Sequence, residues 1–266
     1  MVNHRLTIFG STGRMGQSIV RALHETPQLH LVGAVASAGS VRLGLDAGGE
    51  GMLTGVSVSA DPVLALAHST VAVEFSAATS VAEHVRACRD ARVPILVGTT
   101  GYDAATRASL EHAAKDIAVL IAPNTSVGVT VMLQLVALAT EALGAGYEVD
   151  IAEIHHRLKR DAPSGTALAL GERVAAVRGQ ALKNIALYDQ ESMAAGRAPG
   201  TIGFNTIRAG DVVGEHTVLF TANGERLEIT HRAMDRMTFA RGALRAALWL
   251  SGRPAGLYEM TQVLGL

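Results

Sequence analysis

Leu6-Thr7-Ile8-Phe9-Gly10-Ser11-Thr12-Gly13-Arg14-Met15-Gly16 is the stretch that decides the fold. Its first residues read as a short buried strand, and Arg14 to His24 carries the apolar spacing of a helix. The glycines at the junction let the backbone turn tightly and approach a pyrophosphate. The helix start behind them offers unpaired amides and a partial positive charge. The spacing is G-x-x-G-x-x-G rather than G-x-G-x-x-G, and a glycine motif by itself is also what an ordinary tight turn looks like. The strand before it and the helix after it are the context that favours a dinucleotide.

The rest of the first half repeats this alternation. Strands are expected at Leu29 to Val35, Val71 to Phe75, Ile95 to Val97 and Ile117 to Ile121. Between them lie a helix opened by Asp61-Pro62, one opened by a Ser80-Val81-Ala82-Glu83 capping box, and one from Asp103 to Lys115. A glycine-rich loop runs from Gly44 to Gly55. Such a βαβα order predicts a Rossmann-like parallel sheet covered by helices on both faces. After Pro123 the pattern changes. Val129 to Leu143 reads as a helix, Glu148 to His155 as a strand and Ser164 to Val177 as a helix. Runs at Thr201 to Arg208, Val212 to Thr221 and Arg226 to His231 follow, the last two joined by Asn223-Gly224, a hairpin signal. A closing helix spans Thr238 to Ser251. The second part is therefore expected to be an α+β domain built on a mostly antiparallel sheet.

Composition excludes several classes. The 266 residues carry 23 basic and 24 acidic side chains, a formal net charge of -1, which leaves no basic excess for nucleic acid. Hydrophobic residues make up 48% and charged ones 18%, the balance of a packed globular protein with two domains as the natural division. The single cysteine, Cys88, cannot close an intrachain disulfide, which fits a reducing compartment. The apolar run near Met1 is short for a signal peptide, and Val127 to Leu143 is interrupted by Thr130, Gln134, Thr140 and Glu141. No membrane association and a soluble, cytoplasmic protein are the expectation.

In an open α/β sheet, ligands sit beyond the carboxyl ends of the strands. Gly98-Thr99-Thr100-Gly101 and Ala122-Pro123-Asn124-Thr125-Ser126 lie there, with hydroxyls and free backbone groups suited to the ribose and carboxamide of a nicotinamide. Where an acidic residue usually reads the adenosine ribose, the chain has Val35-Ala36-Ser37-Ala38-Gly39. It offers neither a carboxylate for a 2′-hydroxyl nor an arginine for a 2′-phosphate, so NADH and NADPH both stay open, with Ser37 and backbone groups as the local contacts.

The densest polar cluster is Glu153-Ile154-His155-His156-Arg157-Leu158-Lys159-Arg160-Asp161-Ala162-Pro163-Ser164-Gly165-Thr166. It leaves a strand, crosses a loop and opens a helix. Along a strand His155, Arg157 and Lys159 share one face, and a bend after His156 is needed to bring His156 to them. His155 titrates near neutral pH and can give or take a proton. Lys159 and His156 add charge nearby, and the helix start at Ser164-Gly165-Thr166 suits a carboxylate. Adjacent histidines can also be surface residues, and Ser-Gly-Thr can be only an N-cap. A metal site is not expected, since no third ligand stands at a familiar spacing and no H-E-x-x-H is present.

Taken together, these segments resemble the 4-hydroxy-tetrahydrodipicolinate reductase (dihydrodipicolinate reductase) family. The matching stretches are Gly10 to Gly16, Val97 to Tyr102, Ala122 to Val129, Glu153 to Ala167, Pro199 to His216, Glu225 to His231 and Arg236 to Ser251. The resemblance implies NAD(P)H-dependent reduction of 4-hydroxy-tetrahydrodipicolinate to tetrahydrodipicolinate, in lysine (diaminopimelate) biosynthesis. It implies that NADH or NADPH lies across Gly10, Ser11, Thr12, Gly13, Arg14 and Met15, then Gly98, Thr99 and Thr100, then Ala122, Pro123, Asn124 and Thr125. His155 is similar to the family's proton donor or acceptor and Lys159 to its proton donor. His156, Gly165 and Thr166 are similar to its substrate contacts. A dinucleotide domain of residues 1–126 plus 236–266 and a substrate-binding and oligomerisation domain of residues 127–235, in a homotetramer, are implied as well. Two positions depart from the family pattern: the missing acidic residue near Ser37, and Thr125 where an aromatic residue is common.

Two other readings compete. One is another nicotinamide-dependent imine or amino-acid dehydrogenase. Tyr-x-x-x-Lys is absent, and Cys88 lies within a helix, away from the strand ends where a nucleophilic cysteine would act. The other is a non-enzymatic dinucleotide-binding redox sensor, which would not need His155 and Lys159.

Overall fold

The computed structural model describes residues 3–49, 51–188 and 196–266. In chain order it begins with β1 (His4–Phe9), α1 (Arg14–Ala22), β2 (Leu29–Val35), β3 (Val58–Ser59), α2 (Pro62–Leu66) and β4 (Val71–Glu74). Then come α3 (Val81–Asp90), β5 (Ile95–Val97), α4 (Ala104–Ala113), β6 (Ala118–Ile121) and α5 (Val127–Leu143). β7 (Glu148–His155), α6 (Gly165–Val177), α7 (Leu182–Ile185), β8 (Ala186–Leu187), β9 (Ile202–Arg208), β10 (Gly214–Ala222) and β11 (Glu225–Ala233) follow. The chain closes with α8 (Met237–Leu250), β12 (Gly256–Tyr258) and α9 (Met260–Leu264). It divides into two compact units, Met1–Val127 with Arg236–Leu266, and Gly128–Asp235.

The first unit carries the sheet β12-β6-β5-β4-β1-β2-β3, with every pairing parallel. The order reverses at β1, which is the switch point of a doubly wound sheet. Strand alternation fills both faces. Leu6, Ile8, Val71, Val73, Leu96 and Leu120 point to one side, where they pack with Ile19 and Val20 of α1 and Ala243, Leu244 and Ala247 of α8. Phe9, Ala72, Ile95, Val97 and Val119 point to the other and meet Val81, Val85 and Cys88 of α3 and Leu110 of α4. The thiol of Cys88 is fully buried there, and desolvation, with the nearby Glu74 charge, pushes its pKa up.

The helix-start signals have mixed outcomes. Asp61 caps α2 by accepting from the amides of Val63 and Leu64, with Pro62 at the first position. Asp103 caps α4 through the Thr106 amide. The expected capping box at Ser80 does not form. A 3-10 turn, Ala78–Ser80, leads straight into α3, and Ser80 has helical angles (φ -95, ψ -12) instead of the extended ones that aim a hydroxyl at the first turn. The box appears instead at α9, between Glu259 and Gln262.

The second unit is an α+β layer with the sheet β11-β10-β7-β9-β8. Antiparallel pairing, the expected type, holds for both neighbours of β10. The β7–β9 and β9–β8 pairs are parallel, so the sheet is mixed. The reason is connectivity: the chain passes through α6 and α7 between β7 and β9, and such a crossover returns a strand in the same direction. Asn223-Gly224 makes the expected two-residue hairpin turn, with Ala222 paired to Glu225. Val149, Ile151, Ile202, Phe204, Val218 and Phe220 form the inner face, under Met132 and Val136 of α5 and Leu170 and Val174 of α6.

A 3-10 extension lengthens α5 to Val127–Gly146, 20 residues that include an 18-residue window of mean hydropathy 1.7, which by length and composition alone is enough to cross a membrane. Length therefore does not by itself exclude a span, although polar residues interrupt the stretch. One of its faces, through Met132 and Val136, lies in the core of the second unit, while only 28% of the most apolar 18-residue window is buried and Val131, Leu135 and Leu138 are exposed.

Candidate functional site

In the first unit, the three loops expected to hold a dinucleotide lie at the carboxyl ends of β1, β5 and β6, on one edge of a parallel sheet. The glycines have separate reasons to be glycine. Gly10 has φ +75, and a Cβ there would meet the Phe75 carbonyl oxygen at 2.3 Å. A Cβ on Gly16 would meet the Gly10 oxygen at 2.3 Å. Gly13 is the exposed N-cap of α1, extended (φ -74, ψ 169) and without a capping side chain. The first-turn amides of α1 have no intrahelical acceptor and no side chain to satisfy them, so they are available to an anion. Ser11 is buried, its amide and hydroxyl both donating to the Val35 oxygen at the end of β2. Thr12 and Met15 are half-buried and Arg14 exposed. Arg14 lies close enough to the half-buried Arg236 that burial, then this like charge, lowers the Arg236 pKa. These groups fit a nicotinamide dinucleotide: an open backbone cradle for phosphate, with guanidinium groups beside it.

The other two loops differ in what they expose. A Cβ on Gly98 would lie 2.1 Å from the Phe75 ring, so only glycine fits. Thr99 is buried and Thr100 exposed. Ala122 is buried, Pro123 exposed and Asn124 half-buried, with its Oδ1 accepting from the Ser126 amide at 2.8 Å. Thr125 is 2% exposed and its hydroxyl donates to the Phe239 oxygen at 2.7 Å. That side chain is engaged with α8, which leaves the backbone of this residue for any cofactor contact.

In the second unit, β7 ends at His155, and a turn follows in which the Lys159 amide donates to the His156 oxygen. A turn thus stands at the point where the sequence called for a bend. Alternation along β7 buries Val149, Ile151, Glu153 and His155. The inward face thus runs from two aliphatic residues to a carboxylate and an imidazole. Glu153 is the hub. Its Oε2 lies 2.5 Å from His155 Nδ1, and Arg208 of β9 donates to both carboxylate oxygens at 2.8 Å. Its Oε1 also accepts from the Ser164 amide at 3.1 Å and the Thr206 hydroxyl at 3.3 Å. A bidentate guanidinium and a neutral amide fix the carboxylate, and the carboxylate fixes the ring. With Nδ1 bonded to Glu153, Nε2 is the ring atom left to exchange a proton. Across the ring stands Gly214, where a Cβ would lie 3.0 Å from Nε2.

His216 of β10 closes the cluster, edge-on to His155 with ring centroids 5.1 Å apart. Its Nε2 is 2.9 Å from the Ser164 hydroxyl, whose oxygen accepts the Ala167 amide as the N-cap of α6. The Gly165-Thr166 helix start therefore issues from a residue held on both sides by Glu153 and His216. Lys159 Nζ lies 2.8 Å from the exposed Asp161 carboxylate, and His156 is half-buried.

Electrostatics follow from this packing. Burial lowers the His155 pKa, and Lys159 and Arg208 add to that, while Glu153 pulls the other way. Burial alone would raise Glu153, but the hydrogen bonds from Arg208 and His155 outweigh it and the net shift is downward. His216 is pushed to about 4, mostly by burial and then by His155. A depressed imidazole makes the folded state bind protons less readily than the unfolded chain. The stability linked to His216 is thus complete above the ordinary value of 6.5 and is lost as pH falls toward 4. The separation corresponds to about 3 kcal/mol at the acid end. Thermal melts at pH 7 and pH 4.5 should show wild type losing more stability on acidification than His216→Gln; equal losses would refute the assignment.

Sequence reasoning singled out His155, His156, Lys159, Gly165 and Thr166 as candidates but gave no role to Glu153, Arg208 or His216. The signal for Glu153 was present: a glutamate two residues before a histidine, continuing the inward face of an apolar strand. Arg208 and His216 are brought in by sheet pairing (His155 opposite Arg208, Glu153 opposite His216), which register alone reveals. Among the described residues no cluster of His, Cys, Asp or Glu is arranged to hold a metal ion.

Comparison with known proteins identifies the family. Sequence profiles described as "Dihydrodipicolinate reductase, N-terminus" and "Dihydrodipicolinate reductase, C-terminus" match residues 4–125 and 128–264. The 4-hydroxy-tetrahydrodipicolinate reductase of Laribacter hongkongensis is 48% identical over 267 aligned positions, covering 100% of both chains. That of Anaeromyxobacter dehalogenans is 47% identical, over 98% of each chain. Among solved structures, a dipicolinate-bound dihydrodipicolinate reductase from a Paenisporosarcina species superposes with a TM-score of 0.76 at 22% identity, over 98% of this chain and 99% of that one. An amine dehydrogenase from Mycobacterium smegmatis shares the fold at a TM-score of 0.58. With a parallel-sheet unit and a mixed-sheet unit each matched by its own half of the family, the chain belongs to the dihydrodipicolinate reductase family of nicotinamide-dependent oxidoreductases.

Proposed function

We propose that this chain reduces 4-hydroxy-tetrahydrodipicolinate to tetrahydrodipicolinate with NADH or NADPH, as a step of lysine (diaminopimelate) biosynthesis in the cytoplasm. The observation that carries this reading is the buried Glu153–His155 pair, tied by Arg208 and Ser164 to the helix start at Gly165-Thr166. In this reading the first unit holds the cofactor at Gly10 to Met15, Gly98 to Thr100 and Ala122 to Thr125. The second holds the substrate and builds a homotetramer.

A reduced nicotinamide, when bound, supplies two electrons as hydride. The remaining work falls to the chain's own residues. The substrate is a dicarboxylate, and the amides of Gly165 and Thr166 with the hydroxyl of Thr166 would anchor one carboxylate, with His156 beside them. Reduction of a conjugated imine leaves negative charge that needs a proton and a nearby cation. His155, held by Glu153 in the tautomer or protonation state that keeps a proton on Nδ1, exchanges one at Nε2. Lys159 supplies the cation and a second donor.

The assay is absorbance at the NADH band with the product of the preceding aldol synthase generated in place. Oxidation of NADH that depends on the synthase supports the reading, and a rate unchanged by omitting the synthase refutes it. No carboxylate or arginine stands at Ala36-Ser37-Ala38, so neither form of the adenosine ribose is singled out. The kcat/KM values for NADH and NADPH should differ by no more than about tenfold. A preference of several hundredfold for either would show that another group reads the ribose.

A further inference from the structure

The apolar strand β4 ends on a carboxylate, Glu74, that is 0% exposed. A buried carboxylate is costly unless it is richly hydrogen-bonded, and this one is. Its Oε1 accepts from the Ser76 amide at 2.6 Å and the Thr99 hydroxyl at 3.1 Å, and its Oε2 lies 2.5 Å from His84 Nδ1. Its backbone oxygen accepts from the amides of Gly98 and Thr99 at 2.9 and 3.2 Å. The His84 ring from α3 stacks on Phe9, centroids 4.3 Å apart, and Phe9 immediately precedes the Gly10 turn. One side chain therefore ties together the loops that follow β4 and β5 and reaches, through His84, the end of β1.

With no exposed surface, Glu74 has nothing to offer a ligand directly. Its partners are the segments expected to touch one. We propose that Glu74 is a positioning residue for the cofactor: acting through Thr99 and the Ser76 amide, and itself held by His84, it fixes the backbone of Gly98-Thr99-Thr100 in the shape that receives the nicotinamide half of the dinucleotide. This rests on the reading of the first unit as the cofactor domain. The carboxylate is needed as an acceptor of several hydrogen bonds at once. An amide of the same shape presents an N–H₂ where one of those donors already points.

The test is NADH fluorescence titration and steady-state kinetics on the full chain. Glu74→Gln should raise both Kd and KM for NADH by about tenfold, the loss expected for a charge-assisted hydrogen bond. Its kcat and its KM for the dicarboxylate should stay within about twofold of wild type. Glu74→Asp, which keeps the charge on a shorter arm, should recover part of the affinity. Thr99→Val should reproduce the loss, and the double variant should lose less than the sum of the two singles, because both break the same link. A Kd for NADH in Glu74→Gln equal to wild type overturns the proposal. So does strict additivity, or a fall in kcat and melting temperature at unchanged KM for NADH, which marks a purely structural role. If Glu74→Gln does not fold, Thr99→Val and Glu74→Asp carry the same comparison. Gly13→Asp separates the two levels: if it binds NADH normally, the cofactor site itself is misplaced and Glu74's role falls with it. If it loses NADH while Glu74→Gln does not, Glu74 alone is misassigned.

Discussion

His155→Gln and Lys159→Ala should each lower kcat by about 10² to 10⁴-fold, the range that a general acid or base contributes, while the Kd for NADH stays at the wild-type value. The size of the effect follows from the surroundings of His155. The residue is 8% exposed, and its ring is oriented at Nδ1 by a carboxylate whose two oxygens are both held by Arg208. A glutamine at this position cannot exchange a proton near neutral pH. Lys159 lies close enough to that ring for its charge to act on it, and its ion partner, Asp161, has a largely exposed side chain. Losing it removes charge without leaving a buried carboxylate unpaired, so the fold should survive. Both residues lie in the second unit and the loops proposed to hold the cofactor in the first, which is why NADH affinity should not move. Normal turnover in both variants would mean that the chemistry is elsewhere.

Gly13→Asp should reduce NADH affinity by at least about 100-fold, equivalent to about 2.7 kcal/mol, without lowering the melting temperature. Aspartate is among the best N-cap residues and glycine an acceptable one, so the helix itself loses nothing. The backbone is already extended at this position and the nearest atom to a new Cβ is the Gly10 oxygen at 3.3 Å, a contact that a small shift relieves. What the substitution changes is the anion site. A carboxylate would bond the amides left open for a phosphate and repel the phosphate's charge. A cap that stabilises the helix while abolishing cofactor binding is hard to mistake for misfolding. A variant that binds NADH like wild type would remove the phosphate role from this turn.

The parallel-sheet unit was legible in the sequence because its strands are short apolar runs separated by helix-start signals that act locally. Asp61-Pro62 worked as read. Ser80 failed because the preceding residues form a 3-10 turn, and a hydroxyl caps only from an extended backbone. The mixed character of the second sheet was missed, since Asn223-Gly224 announces the β10–β11 hairpin locally, whereas the parallel β7–β9 pair follows from the helical crossover between them and needs the knowledge that these two strands are neighbours. The site follows the same division. His155, His156, Lys159, Gly165 and Thr166 sit in one continuous stretch and could be read together. Glu153 was within that stretch, but its part became visible only when Arg208 and His216 arrived beside it on neighbouring strands. β3, β12 and α9 are short edge elements whose few residues carry little periodic signal.

The most direct measurement is isotopic. The chain is incubated with the synthase product and reduced cofactor carrying deuterium at nicotinamide C4 on the transferable face, and the tetrahydrodipicolinate formed is weighed by mass spectrometry. Each product molecule should be heavier by one deuterium, with one cofactor oxidised per product. Cofactor oxidised without label in the product, or no product at all beside intact NADH and NADPH, would contradict hydride transfer to this dicarboxylate.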